Sequence, residues 1–204
     1  MSLTTLLRHV GVHVPRGVSV DGRIVLGAPA AGRSVTALAA HTFHGGPGPM
    51  PTLAQHSCGK SPGEYGNAWW NLDPVRLKGD RAAVRAAFPS FQLNRDGGNY
   101  RWQGVLDTGR GRYRIAVAGN RVGGTPFIRP LEPHRLGRHE GARWRPSPHL
   151  YTGGGLCVAE TTDWIPEQHT TATAIAWAAH WLAAYTDWRL GGPWPTDGYR
   201  PQAA

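Results

Sequence analysis

Along the chain, apolar positions become periodic from residue 73 onward. Leu77, Val84 and Phe88 recur at helical spacing, with Arg76, Lys78, Arg81 and Arg85 left for the other faces. Asp73 before Pro74 makes an N-cap with proline at the first helical position, and Pro89 closes the segment. A period of two then takes over. Residues 100–107 alternate Tyr100, Trp102, Gly104 and Leu106 with Arg101, Gln103 and Val105, and residues 112–118 alternate Tyr113, Ile115 and Val117 with Arg112, Arg114 and Ala116. This pattern predicts a half-buried antiparallel sheet, with a hairpin turn at the glycine-bearing segment 108–111. Residues 127–131 predict a shorter strand that Pro130 pushes toward an edge. Residues 132–155, rich in Pro, Gly, Arg and His, predict a long irregular stretch. Helical spacing returns over 170–190. Ile175, Ala178, Leu182 and Tyr185 form one stripe, Trp177, Trp181 and Trp188 an adjacent one, and Gly191, Gly192 and Pro193 stop the helix. So wide an apolar face needs a partner, most simply the sheet, which makes the expected class α+β.

Residues 1–70 read differently. Residues 18–26 predict two short strands joined at Asp21-Gly22, residues 28–40 are rich in small side chains, and residues 44–51 read as a loop. The expected organisation is an N-terminal extension over 1–70, partly disordered, and a folded domain over 73–200. With 204 residues, nine Trp and 40% hydrophobic residues, the chain can build a real core. Its 28 Gly and 17 Pro show no period, which excludes collagen. No apolar run approaches the roughly 18 residues of a membrane span, and the N-terminus lacks the pattern of a secretory leader. Two cysteines, Cys58 and Cys157, cannot make a disulfide framework, so a cytoplasmic protein with free thiols is expected.

Charge widens the field rather than narrowing it. The net charge of +9 is carried almost wholly by Arg and favours an acidic partner. The arginines are scattered, no nucleic-acid motif is legible, and nucleic acid is the less favoured partner. His41, His44, His56 and Cys58 could together bind zinc, but their spacing is not that of a standard finger, and a His-rich loop is the simpler account. No phosphate-binding or dinucleotide-binding loop appears, so no cofactor is expected.

The informative chemistry lies around Cys157. Gly153, Gly154 and Gly155 precede it, in backbone expected to be irregular and within reach of a macromolecule. His149, Asp163 and Trp164 stand close in sequence. Taken alone, a lone cysteine is more often a small buried apolar residue than a nucleophile, Asp163 more often a cap or solvated charge, and Trp164 more often packing than chemistry.

The order of these motifs resembles the ubiquitin-conjugating-enzyme (UBC-like) family over residues 73–195. Gly155-Leu156-Cys157 matches its Gly-x-Ile/Leu-Cys, Pro148 stands where its His-Pro-Asn motif has Pro, and Trp164-Ile165-Pro166 matches its Trp-x-Pro. Phe88-Pro89-Ser90-Phe91 and Trp102-x-Gly104 resemble the approach to its first strand. Pro148-His149-Leu150-Tyr151, Trp181-Leu182-Ala183-Ala184-Tyr185 and Gly192-Pro193-Trp194-Pro195 resemble a bacterial branch, the conjugating-enzyme-like proteins of type II CBASS antiphage systems. Ser147 and His149 depart from the usual family, which has His and Asn there.

The resemblance implies an N-terminal helix, a meander of about four strands, a long active-site loop and a C-terminal helix on the sheet. It also implies an acyltransferase in which Cys157 accepts an activated protein C-terminus and passes it to an amine. His149 would serve the oxyanion or the loop, and Asp163 would orient or deprotonate the amine. The partners implied are a separate activating enzyme and a ubiquitin-like protein or a cGAS-like nucleotidyltransferase. The alternatives are a non-catalytic domain of the same fold that only binds its partner and, behind it, a basic nucleic-acid-binding protein. A carrier requires the Cys157 sulfur to be open to solvent; a thiol packed under the tryptophans leaves a scaffold.

Overall fold

The computed structural model describes residues 16–26, 35–36, 68–96, 98–120, 123–151, 153–159 and 163–194. The zinc candidates His41, His44, His56 and Cys58 lie outside them. Near the N-terminus β1 (Arg16–Ser19) and β2 (Ile24–Leu26) form an antiparallel hairpin, with Val18 opposite Ile24, and β3 (Val35–Thr36) pairs on the other side of β1. The turn falls at Asp21-Gly22 as expected, and Asp21 O accepts the Asp107 N–H at 2.7 Å. Val18 is fully buried in the same core as the rest of the described chain.

A single helical turn, α1 (Trp69–Leu72), precedes α2 (Pro74–Ala87). The Asp73 carboxylate caps α2 by accepting the Arg76 N–H at 2.8 Å, and Leu77, Asp80 and Val84 form its buried face. The main sheet runs β4 (Gln92–Asp96), β5 (Asn99–Asp107), β6 (Arg112–Ala118), β7 (Phe127–Glu132) in meander order, all antiparallel. The expected alternation holds: Tyr100, Trp102 and Leu106 on β5, and Tyr113, Ile115 and Val117 on β6, are all buried. β7, with Pro130, is an edge strand whose pairing shifts register between Arg114 and Ile115.

Residues 132–155 are not irregular throughout. β8 (Gly137–Glu140) and β9 (Arg143–Pro146) form a hairpin inside them. All four residues of β9 are exposed, so no apolar alternation marked it. The hairpin is held from outside its own ladder. Tyr185 Oη donates to Gly137 O at 3.1 Å and accepts from Gly137 N at 3.2 Å, while the Arg138 guanidinium lies 4.3 Å from the centre of the Trp188 ring.

The last helix, α3 (Thr171–Arg189), matches its expected span, but its environment differs from expectation. It is buried on nearly every side rather than along one stripe: from Thr171 to Trp188 only Ala183 and Asp187 escape full burial. The sheet covers one side, and α2 and the β1–β2 hairpin cover others. Alanines at 174, 176, 178 and 179, each without exposed surface, allow neighbours to approach from several directions. Among the described residues no helix is long and apolar enough to cross a membrane.

Asp80 ties these layers together. Its carboxylate, 5% exposed, accepts the Thr171 N–H at 2.6 Å and the Thr171 hydroxyl at 2.9 Å, so a residue of α2 caps α3. It also accepts the Tyr100 hydroxyl at 2.8 Å, and Tyr100 Oη accepts the Trp102 indole N–H at 3.1 Å. Burial, reinforced by the Asp80 charge, pushes the Tyr100 phenol above its ordinary pKa; burial likewise raises Tyr185.

Asp80→Ala leaves three buried donors unpaired and should cost about 3 kcal/mol, read as a lower urea midpoint at unchanged slope. Asp73→Ala, at an exposed cap, should cost about 1 kcal/mol in the same assay. Because both phenols are held neutral, their contribution to stability is complete below the unfolded-state value of about 10 and declines as pH rises above it. Thermal melts across that range should show an alkaline fall that Tyr100→Phe reduces.

Candidate functional site

The segment carrying Cys157 starts where β9 ends. The Ser147 N–H bonds Leu136 O at 3.0 Å and the Ser147 hydroxyl donates to Pro148 O at 3.1 Å. His149 then takes a left-handed backbone, φ 56°, a conformation that histidine tolerates better than most residues. This bend aims the His149 carbonyl inward, where it accepts two donors: Cys157 N–H at 2.9 Å and the Trp181 indole N–H at 3.1 Å. The bridge between Leu150 and Leu156 and the Tyr151 N–H to Gly155 O bond at 2.8 Å close the loop on itself.

The three glycines have two distinct duties. Gly153 and Gly154 have φ of 102° and 81°, which a side chain would strain. At Gly155 the demand is space: a Cβ there would meet the Phe127 ring at 2.3 Å. That close approach lets Leu156 N–H reach Ile128 O at 2.9 Å, so the loop is laid onto edge strand β7.

The loop therefore lies on the core rather than standing off it. Cys157 is 4% exposed and His149 2% exposed. The expectation of an open thiol does not hold in this conformation, for a physical reason: backbone bonds to β7 and to His149 pull residues 156 and 157 against the core. Beside them Thr125, Pro126, Phe127, Tyr151, Leu156 and Val158 line a small hollow of about 10 Å³.

The structure joins His149 to Cys157 through main chain. Asp163 stands half-buried beyond residues 160–162, on the segment leading into α3. Trp164 is packing, as expected: it is buried, donates its indole N–H to Gly123 O at 2.8 Å and packs edge-on to Trp177. His169 fixes the same segment, its Nδ1 accepting the Ile165 N–H at 3.0 Å and its ring lying against Trp177. Two residues of the site escaped the pattern reading. Trp181, assigned only to the core, holds the loop through its indole; Trp194, just past the helix stop, stacks on His149 with ring centres 5.3 Å apart.

In this α+β protein a cysteine thus follows a glycine loop that is bonded both to the edge of the antiparallel sheet and to the buried C-terminal helix. A family model described as type II CBASS E2 protein matches residues 80–201, more than half of the chain, and the protein belongs to that family. No curated protein and no solved structure matches it.

Gly155→Ala should cost about 1–3 kcal/mol, because the Phe127 ring must move to admit the methyl group. Gly79→Ala, in the exposed interior of α2 with open space around it, should gain about 0.5–1 kcal/mol. Paired thermal unfolding of the two variants checks both signs.

Proposed function

We propose that the protein is the conjugating component of its CBASS system, a UBC-fold thioester carrier that acts through Cys157 in the cytoplasm. The observation that supports this most is the family match over residues 80–201, which encloses the ordered set Pro148, Gly155-Leu156-Cys157 and Trp164-Ile165-Pro166.

The chemistry is acyl transfer. The Cys157 sulfur attacks the carbonyl carbon of an upstream thioester carried by a separate activating enzyme. The new carbon–sulfur bond forms as the old one breaks, and the released thiol keeps the proton Cys157 gives up. The acyl group is the C-terminus of a ubiquitin-like protein or of a cGAS-like nucleotidyltransferase. An amine then attacks, the carbon–nitrogen bond forms, and Cys157 leaves as a thiolate that regains a proton. The chain needs no nucleotide of its own, since activation happens upstream. His149 organises the loop and serves the oxyanion; Asp163 orients the amine and receives its proton.

The burial of Cys157 favours a second reading, in which the domain binds its partners without carrying an acyl group. Supplying the activating enzyme and the donor protein separates the two. The carrier reading expects an adduct that thiols reverse, absent from Cys157→Ala and converted by Cys157→Ser to one that thiols do not reverse. An adduct undiminished in Cys157→Ala sinks the carrier reading; partner binding with no adduct in the wild type establishes the scaffold.

A further inference from the structure

The hairpin β8–β9 is braced although its second strand buries nothing. Two strands of four residues are marginal on their own, and all four residues of β9 are exposed. The braces come from elsewhere. Tyr185 Oη takes both the N–H and the C=O of Gly137, the Arg138 guanidinium lies over Trp188, and Glu140 accepts from Arg138 at 2.7 Å and from Arg145 at 3.0 Å. The fold thus holds in place a strand that adds no side chain to the core.

The register sorts β9 into two faces. Trp144 stands opposite His139, their ring centres 5.1 Å apart, and lies so close over Gly137 that a Cβ there would meet the indole at 2.4 Å. It is 38% exposed, the most open tryptophan among the described residues. Arg143 and Arg145 belong to the opposite face, with Glu140 and Arg138 across the ladder. Arg145 is tied to Glu140, whereas Arg143 has no ion pair among the described residues.

Backbone parity opens the edge. In an antiparallel pair, alternate residues turn their N–H and C=O outward. On β8 that outward pair belongs to Gly137 and goes to Tyr185. His139 shares the parity of Gly137, and Trp144 is its partner, so Trp144 directs its own N–H and C=O out of β9. Among the described residues no strand pairs with that edge.

We propose that the free edge of β9 accepts an extended polypeptide segment as a third strand, with an apolar residue opposite Trp144 and acidic residues on either side of it, opposite Arg143 and Arg145. The strand period sets that order: one face of the added strand meets the indole, the other the two guanidinium groups. A second copy of this edge would set Arg against Arg, and the net charge of +9 opposes it as well. Nucleic acid would satisfy the arginines but offers no donors and acceptors at strand spacing. The edge leads directly into residues 147–149 of the cysteine loop. It does not depend on Cys157 carrying an acyl group, so the two ideas fail separately.

The probe is a short fluorescein-labelled peptide of alternating Glu and Val, titrated into the full chain and followed by anisotropy, with amide hydrogen exchange read in parallel. Binding should slow exchange of the Trp144 amide. Trp144→Ala and Arg143→Glu should each weaken binding about three- to tenfold, the scale of one cross-strand pair lost or reversed. Arg85→Glu, the same charge change on an exposed position of α2, should leave binding almost unchanged. The same peptide with Pro in place of its central Val should bind poorly, because it loses an N–H at the edge. No measurable binding, an unprotected Trp144 amide at saturation, or equal losses in Arg143→Glu and Arg85→Glu overturns the proposal. So does tighter binding of a single-stranded oligothymidylate that Trp144→Ala abolishes. If Trp144→Ala loosens the hairpin, seen as faster exchange of the Glu140 and Arg143 amides without peptide, Arg143→Glu and the proline peptide decide alone.

Discussion

One buried carboxylate governs how the elements meet. Asp80 sits on the inner face of α2, where an ionised side chain is tolerated only with full hydrogen bonding. It finds that bonding on two other elements at once: the first residue of α3 and a tyrosine of β5. The capped end of α3 is where backbone N–H groups and the helix dipole both favour a negative charge. Asp80 therefore fixes the start of α3 against α2 and the sheet. Everything further along α3, including the indole of Trp181 that holds the cysteine loop, inherits that position.

The site loop is anchored at three points. Leu156 reaches the edge of the sheet, Cys157 reaches the His149 carbonyl, and the same carbonyl reaches α3 through Trp181. Gly155 makes the first anchor possible and the left-handed backbone of His149 the other two. The departure of His149 from the family's usual asparagine is thus compatible with a structural duty for this position. The main-chain carbonyl does the joining, while the side chain lies stacked beneath Trp194.

The proposed carrier role asks for a reachable thiol, whereas Cys157 is buried in this structure. A carrier must be reached by a carbonyl carbon, yet a thiol left permanently open is exposed to oxidation and stray acylation.

The sequence by itself determined the two longer helices, three strands of the main sheet and the family. Alternation on β5 and β6 survives because each strand has one wet face, and the Asp73-Pro74 and Gly191-Gly192-Pro193 signals act through backbone constraints that need no neighbours. The order of Pro148, Cys157 and Trp164 identified the family for the same reason, since spacing is a property of the chain alone. The tertiary structure decided what lies inside. β9 carried no period because it buries no face, and α3 read as one-sided because its alanines are neutral in a sequence and become contact surface only when neighbours close around them. The role of Asp80 likewise depends on Thr171 and Tyr100, which are distant along the chain and come beside it only in the fold. The burial of Cys157 belongs to the same class: accessibility depends on what packs over a loop, and residues distant along the chain supply that packing.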